Sequence, residues 1–484
     1  MTLSEYRLFA QRIGLIGVTN LLVSLSGVIL LPILTKNLPV EEYGVYAQII
    51  VTIGLIPSIV LLGLPYTMVR FLAGEKDRET VREGFYSIYF IVIFMGAITS
   101  LALFLSSDLI ASILFDDNQT VVKILSMIIF VECLNSLQYN YFRTFQHMKR
   151  YSSFIFMQTI LNILLIAYFV LSGYGITGVA IGILIARISM FIIMAVPIVA
   201  EIGVKMPRFE KTREYLAFGL PTVPGSLSSW LINSSDRYII GILMGAAFVG
   251  YYSPGYTLGY MISMFIAPLG LILPATLSRY YDSNDKATAG DFLKYSLKYF
   301  LLLAIPSAFG LSLLSKPLLT ILSTPEIAEE GYLITPLVAF GTVFFGASVI
   351  ITHIIIMEKK TAIMGSLYTV AAVLNLSMNL ALIPLIGIVG AAASTLLAYI
   401  LIFFVGTYYS FRYLKFDLNI RFILKSIFAS IIMSLIILRW YPEGVSSLII
   451  VIAVCVLVYA GVLLLLKGMT KEEISFFKMS VNIK

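Results

Sequence analysis

Long runs of apolar residues without a charged side chain dominate the 484-residue sequence. No Asp, Glu, Lys or Arg lies between Arg237 and Arg279, or between Lys360 and Arg412. A helix that crosses the hydrocarbon of a bilayer needs about 20 residues, so such runs can hold one or two of them. Because backbone amides in hydrocarbon must be hydrogen-bonded within their own segment, these runs predict membrane-spanning α-helices.

The whole pattern predicts an all-α integral membrane protein with about fourteen transmembrane helices. The predicted spans lie at roughly residues 12–35, 43–67, 85–106, 119–142, 152–172, 176–200, 215–241, 248–277, 292–315, 331–357, 362–384, 388–411, 420–438 and 445–466. The connections between them are short, and none is long enough to form a soluble domain.

Composition supports this interpretation and orients the chain. Hydrophobic residues make up 59% of the sequence and charged residues 12%, whereas soluble domains carry about 25% charged residues. With the N-terminus in the cytoplasm, most of the 33 lysines and arginines fall on the cytoplasmic side, as the positive-inside rule requires. We therefore predict a multi-pass protein of the cell membrane with both termini in the cytoplasm. Its net charge of +7 needs no nucleic-acid partner to explain it.

The sequence contains an internal repeat. The segment Tyr43–Tyr46 is similar to Val249–Tyr252, 206 positions later. Gly175–Ala180 likewise matches Gly387–Ala392, 212 positions later. Each repeat holds six predicted spans, an even number, so both copies enter the membrane from the same side. This arrangement is typical of transporters with two lobes related by an axis along the membrane normal.

We therefore predict two pseudo-symmetric six-helix lobes around a central cavity. The first lobe covers residues 1–205 and the second covers residues 206–413. Residues 414–484 lie outside the repeat and are predicted to form two additional transmembrane helices and a cytoplasmic tail.

Several short motifs carry a family resemblance. They are Glu41–Ala47, Asp236–Gly241, Val249–Tyr252, and the Leu382–Pro384 turn followed by Gly387–Ala392. In this order and spacing they resemble the Wzx-type oligosaccharide/polysaccharide flippases of the multidrug/oligosaccharidyl-lipid/polysaccharide exporter superfamily, which also contains the MATE transporters. The resemblance covers the first twelve predicted spans. It implies a V-shaped pair of lobes that opens alternately to each side.

The resemblance also implies a function. Such a protein moves polyprenyl-(pyro)phosphate-linked oligosaccharide repeat units from the inner to the outer leaflet by alternating access, coupled to H⁺ or Na⁺. Membrane lipids and polysaccharide assembly proteins are the expected partners, and no cofactor is expected. A buried sugar hydroxyl without a hydrogen bond costs roughly 2–7 kcal/mol, and phosphate costs far more. The cavity must therefore supply cations and polar groups while the lipid tail stays in the bilayer.

Two charges fall inside predicted spans of the first lobe. Glu132 lies near the middle of the fourth span and Arg187 near the middle of the sixth. A charge within a membrane is costly and is by default a functional hypothesis. We expect Arg187 to bind the anionic head of the substrate. Glu132 would orient or neutralise that arginine, or carry a coupling proton. The alternative is a structural salt bridge between packed helices.

Other candidates have equally specific alternatives. We predict that Arg237, beside Asp236, holds phosphate or sugar at the outer part of the cavity, or instead extends to the outer surface. As helix neighbours these two residues are expected to face apart rather than pair. Arg70 and Arg279 occupy equivalent cytoplasmic ends and either flank the inner mouth or anchor the topology.

The polar residues Asn162 and Asn375 lie inside predicted spans and either bind sugar or hydrogen-bond between helices. His147 and His353 lie near helix ends without a third ligand nearby, so no metal site is predicted. Cys133 and Cys455 fall in apolar runs and are predicted to be packing residues.

An enzyme is the rival from a different class. The sequence has no Asp-x-Asp pair, no phosphate-binding Gly-x-x-x-x-Gly-Lys loop and no His-Glu-x-x-His. We therefore predict that the chain is not an enzyme. Nearer rivals are a MATE-type cation/drug antiporter and a flippase of the lipid-linked peptidoglycan precursor. An antiporter of that type is expected to have about twelve spans and an acidic residue early in the chain, whereas the first span here has none. The peptidoglycan branch shares the two extra helices, which in it help to hold the lipid tail.

Overall fold

The computed structural model of the protein describes residues 3–283 and 285–469, and this part of the chain forms α-helices, two 3-10 helices and no strand. The α-helices are α1 (Leu3–Thr35), α2 (Val40–Val60), α3 (Leu64–Leu72), α4 (Arg78–Leu105), α5 (Ser107–Leu114), α6 (Gln119–Thr144), α7 (Met148–Leu171), α8 (Gly175–Ile202), α9 (Thr212–Gly219), α10 (Val223–Met244), α11 (Ala246–Tyr260), α12 (Ala267–Asp282), α13 (Lys286–Leu313), α14 (Ser315–Leu322), α15 (Pro325–Gly331), α16 (Ile334–Met357), α17 (Thr361–Ile386), α18 (Ile388–Phe411), α19 (Ile420–Arg439) and α20 (Val445–Leu465). The 3-10 helices are Leu220–Thr222 and Met261–Phe265.

The all-helical membrane fold predicted from the sequence is confirmed. Within the described residues, 11 helices are long and apolar enough to cross a membrane, or up to 12 if the bent pair α11 and α12 counts as one span. The seventh predicted span corresponds to α10, which is not among them because Ser, Asn, Asp236 and Arg237 make it too polar. The first predicted span corresponds to α1. Within the described residues, the apolar part of this helix is only Leu21–Thr35, which is shorter than the counted spans. The predicted cytoplasmic tail after residue 469 lies outside the described residues.

The helices repeat as the sequence predicts. Helices α4 and α13 both have 28 residues and begin 208 positions apart. The short helices α5 and α14 that follow them both have 8 residues at the same offset. Gly175 and Gly387, which begin or immediately precede α8 and α18, have positive φ values of 59° and 63°. Equivalent local sequences therefore produce equivalent helix boundaries in both copies.

Helices α4 and α13 also begin with the same cap. The Asp77 carboxylate accepts hydrogen bonds from Thr80 N (3.0 Å) and from the Thr80 hydroxyl (2.6 Å). Asp285 accepts from Thr288 N at 3.0 Å. The threonine hydroxyl bonds lower the pKa of both aspartates below its usual range. Each carboxylate thus satisfies backbone N–H groups that the first turn of a helix leaves unpaired.

We expect these caps to weaken on acidification. Because the folded pKa is lowered, the stabilisation is complete above the ordinary Asp pKa of about 4 and is lost as pH falls through the lowered value. Hydrogen exchange of the Thr80 amide, corrected for its intrinsic rate, should therefore accelerate at acidic pH. Asp77→Asn keeps a good capping group that does not titrate, so it should remove this acceleration. Identical acid profiles in both proteins would contradict this account of the cap.

The second and eighth predicted spans are each broken. Helix α2 ends at Val60, and the chain turns through Leu62 (φ 50°) and Gly63 (φ 70°) before α3 begins. Between α11 and α12 the chain forms the 3-10 helix Met261–Phe265. Pro65 and Pro268 follow these breaks and occupy the first turn of α3 and α12, where proline is tolerated.

The chain divides into two compact units. The first comprises Met1–Pro254 with Tyr368–Ala398, and the second comprises Gly255–Leu367 with Tyr399–Lys484. These units follow packing, whereas the predicted lobes follow the internal repeat. In the second unit α19 and α20 pack on α13, where the Tyr459 hydroxyl donates to Leu302 O at 2.9 Å. Cys133 and Cys455 are buried free thiols, in agreement with their predicted packing role.

Candidate functional site

Glu132 on α6 and Arg187 on α8 form an ion pair inside the first unit. Arg187 Nε lies 2.9 Å from Glu132 Oε2, and the two side chains are only 10% and 17% exposed. Small residues of α8, among them Gly182 and the fully buried Ala186, let its neighbours approach closely. Asn135 Nδ2 on α6 donates to the carbonyl oxygen of Arg187 at 3.0 Å and fixes the two helices together. The two charges therefore lie together, as both the proposed binding role and the alternative of a structural salt bridge require.

Further polar groups lie on the same helices and on α7. The Tyr139 hydroxyl on α6 donates to Gln158 Oε1 on α7. Among the described residues, the buried polar atoms of this region without a hydrogen-bond partner include Asn135 Oδ1, Gln138 Oε1, Asn162 Oδ1 and Arg187 Nη1. Buried polar atoms are rarely left unsatisfied, because each costs about 1–3 kcal/mol. The region thus offers one free cationic donor and several acceptors to a polar ligand or to water.

A second ion pair lies on α10. Arg237 Nη1 is 3.0 Å from Asp236 Oδ1 and donates to Asn233 O at 3.0 Å. The Tyr252 hydroxyl donates to the other carboxylate oxygen of Asp236. The expectation that these neighbours do not pair is wrong, because the long arginine side chain folds back along its own helix. Asp236 and Arg237 are 1% and 8% exposed, so Arg237 does not extend to the surface.

Asn375 belongs to a hydrogen-bond network between helices. Its Oδ1 accepts from Ser235 Oγ of α10 at 3.4 Å and from Asn379 Nδ2 at 3.1 Å. Its Nδ2 donates to Thr395 Oγ1 of α18 at 3.4 Å. Asn375, Asn379 and Thr395 are all fully buried. Asn375 thus makes the bonds between helices that were the alternative to a sugar contact.

The remaining sequence candidates are dispersed. Arg70 and Arg279 are exposed residues in the last turns of α3 and α12. His147 Nε2 lies 3.4 Å from Glu201, and His353 Nδ1 lies 2.7 Å from Val349 O. In the described part of the chain, no three His, Cys, Asp or Glu residues come close enough to hold a metal ion.

Sequence reasoning missed several partners in these clusters. Tyr139, Ser235, Thr395 and the carbonyl group of Asn233 are not charged and do not stand out in an apolar sequence. Their one signal is helical spacing, since Tyr139 lies one helical turn after Asn135 and seven residues after Glu132 on α6. The contacts between helices could not be derived from the sequence alone.

The fold is that of a known class of membrane transporters. A solved structure of the lipid II flippase MurJ in an inward closed conformation matches with a TM-score of 0.78 and 19% identity, covering 94% of this chain and 97% of that chain. An inward-facing multidrug resistance MATE family transporter of the MOP superfamily matches with a TM-score of 0.70 and 12% identity, covering 81% and 94%. At these identities the likeness shows the fold alone.

Residues 33–329 match the model of a family described as polysaccharide biosynthesis protein, and the chain belongs to that family. It is 26% identical over 220 residues to the probable low-salt glycan biosynthesis flippase Agl15 of Haloferax volcanii, 46% of each chain. It is 24% identical over 338 residues to the probable lipid II flippase MurJ of Rickettsia prowazekii, 64% of each. The chain therefore spans less than two thirds of the length of these curated relatives. The resemblance to this exporter superfamily, inferred from the sequence, is confirmed.

Proposed function

We propose that this protein is a flippase that moves polyprenyl-(pyro)phosphate-linked oligosaccharides from the inner to the outer leaflet by alternating access. The observation that carries the proposal is the buried ion pair of Glu132 and Arg187, set among polar groups of α6 and α7. Two charges at the centre of a membrane bundle are expensive, and a charged ligand gives a reason for them. Arg187 binds the phosphate, and Glu132 holds the guanidinium in place while the site is empty.

The free polar atoms suit the sugar part of the substrate. Arg187 Nη1 is a donor without a partner among the described residues, whereas Asn135 Oδ1, Gln138 Oε1 and Asn162 Oδ1 are acceptors. A sugar hydroxyl can donate a hydrogen bond to one of these acceptors and can accept a hydrogen bond from Arg187 Nη1. Membership of a polysaccharide biosynthesis family and similarity to a probable glycan biosynthesis flippase support a glycan headgroup.

A lipid-linked peptidoglycan precursor is the second candidate substrate. The MurJ structure covers 94% of this chain, and α19 and α20 correspond to the two additional spans predicted from the sequence. Both substrates join a polyprenyl pyrophosphate to a sugar, so Arg187 would serve either of them. A MATE-type antiporter is the third candidate, and it predicts drug efflux without movement of a glycolipid.

Reconstitution distinguishes these candidates. The purified protein is placed in liposomes with a fluorescent polyprenyl-pyrophosphate oligosaccharide, and the accessibility of the headgroup is measured in each leaflet. We expect the label to change leaflets in proteoliposomes and not in protein-free liposomes. A lipid-linked peptidoglycan precursor and a fluorescent cationic drug are assayed in parallel. Transport of the drug alone would reject both flippase assignments.

The driving ion belongs to the same proposal. We propose that transport is coupled to H⁺ or Na⁺. If the ion is H⁺, Glu132 carries it, because phosphate bound to Arg187 leaves the Glu132 carboxylate free to accept a proton. The protein acts in the cell membrane with both termini in the cytoplasm, beside polysaccharide assembly proteins that supply and remove the glycolipid. Imposing a pH or a Na⁺ gradient across the proteoliposomes separates the two ions.

A further inference from the structure

Two glycines of the first compact unit form a reciprocal contact between α2 and α11. A Cβ atom on Gly44 would overlap the carbonyl oxygen of Ala246, and one on Gly250 would overlap the carbonyl oxygen of Val40. Val40 and Ala246 are the first residues of α2 and α11. The repeat offset of 206 positions relates Gly44 to Gly250 and Val40 to Ala246. The same contact is therefore made twice, once from each copy of the repeat.

Below this contact, hydrogen bonds join α2 to α10. Gln48 Nε2 donates to Arg237 O at 2.8 Å, and the Thr52 and Tyr238 hydroxyls lie 2.6 Å apart. The Trp230 indole donates to Val51 O at 3.2 Å. Because α2 belongs to the first repeat and α10 and α11 to the second, these contacts join the two repeats. We call the set formed by the glycine contact and these bonds the α2 seam.

A different glycine pair closes the other end of α2. Gly63, with φ 70°, lies in the turn after the helix, and a Cβ on it would overlap the carbonyl oxygen of Gly219. A Cβ on Gly219 would lie 2.6 Å from Leu62 O. In the predicted orientation the Gly44 end faces outside and the Gly63 end faces the cytoplasm. The two ends of the seam thus depend on separate glycine contacts.

We propose that the glycine contact of Gly44 and Gly250 is a latch that closes the outer end of the transport path and opens once per cycle. This inference rests on the proposed alternating access, and it adds the residues that hold one side shut. Backbones in direct contact exclude water and ions, and only glycine permits so short a distance. The nearest atoms are backbone atoms and one methyl group of Val40, with no charged group among them, so the contact can form and separate without breaking an ion pair.

Cysteine labelling tests the latch without any substrate. Thr52→Cys, in a chain with Cys133→Ala and Cys455→Ala, places one thiol at the buried centre of the seam, where Thr52 is 4% exposed. A membrane-impermeant maleimide is added outside right-side-out vesicles. We expect Gly44→Ala and Gly250→Ala each to increase the labelling rate several-fold, because the added methyl group holds the outer end open. Gly219→Ala perturbs the opposite end and should leave outside labelling unchanged.

Controls separate the latch from general damage. Gly225→Ala lies on α10, where a Cβ would meet nothing within 4 Å, and should label at the parent rate. If Gly44→Ala fails to fold, Gln48→Met removes a seam hydrogen bond without adding atoms at the contact and should also raise labelling. Equal labelling of Gly44→Ala and Gly225→Ala, or a matching rise in Gly219→Ala, would overturn the latch. If the labelling rates are as expected but the parent protein does not transport the glycolipid, only the proposed function is rejected.

Discussion

Replacing Arg187 with alanine is expected to abolish translocation and to destabilise the protein. The substitution removes the cation that binds phosphate and leaves the Glu132 carboxylate buried without its partner. Removing one member of a buried ion pair typically costs about 3–5 kcal/mol. Leaflet exchange in proteoliposomes should fall to the protein-free rate, and the unfolding temperature in detergent should decrease.

A double variant separates these two effects. Glu132→Leu with Arg187→Met replaces both charged side chains with apolar ones, and apolar replacement of a buried ion pair is often neutral or stabilising. We expect it to recover the parent unfolding temperature while translocation stays absent. Recovery of both stability and translocation would mean that the pair serves only to hold α6 against α8, and the assigned phosphate site would be wrong.

Replacing Asp236 with alanine is expected to give the largest loss of stability among the α10 variants. Asp236 is 1% exposed, pairs with Arg237 and accepts a hydrogen bond from the Tyr252 hydroxyl. The variant leaves a buried arginine without this carboxylate, at a cost of about 3–5 kcal/mol. Tyr252→Phe removes one hydrogen bond to a charged group and should cost about 1.5–3 kcal/mol. Thermal unfolding in detergent measures both.

Asp108→Ala is the matched control, because Asp108 is an exposed aspartate on α5. It should unfold within about 0.5 kcal/mol of the parent, as surface substitutions usually do. If Asp236→Ala unfolded as the control does, the pairing on α10 would contribute nothing to the folded state. A larger loss of stability in Tyr252→Phe than in Asp236→Ala would also contradict the role given to the Asp236 carboxylate.

Most helix positions could be predicted because the bilayer imposes length and apolarity on most spans. The charge-free runs identified the helices, and the repeat of Gly175 and Gly387 identified equivalent helix starts. The break after Val60 was only partly predictable. Pro65 indicates an interruption of the helix nearby. The turn itself lies at Leu62 and Gly63, where the positive φ values depend on packing against Gly219. The sequence has no local signal for that contact.

The charged residues of the candidate site could be predicted from the sequence. Glu132 and Arg187 are prominent because an apolar segment tolerates few charges, and their pairing follows from the packing of α6 on α8. For Asp236 and Arg237 the prediction failed, because Cβ directions on a helix do not limit where a long guanidinium can reach. The bonds of Asn375 required the arrangement of α10, α17 and α18, which no sequence pattern specifies.

The polarity of α10 has a consequence for biogenesis. An aspartate or arginine near the centre of a helix opposes insertion by the translocon by about 2.5–3.5 kcal/mol each. Helix α10 carries Asp236 and Arg237 beside several serines and Asn233, and only half of its 22 residues are apolar. We therefore expect this segment to wait beside the translocon until the apolar part of α11 emerges, so that the two enter the bilayer together as a hairpin.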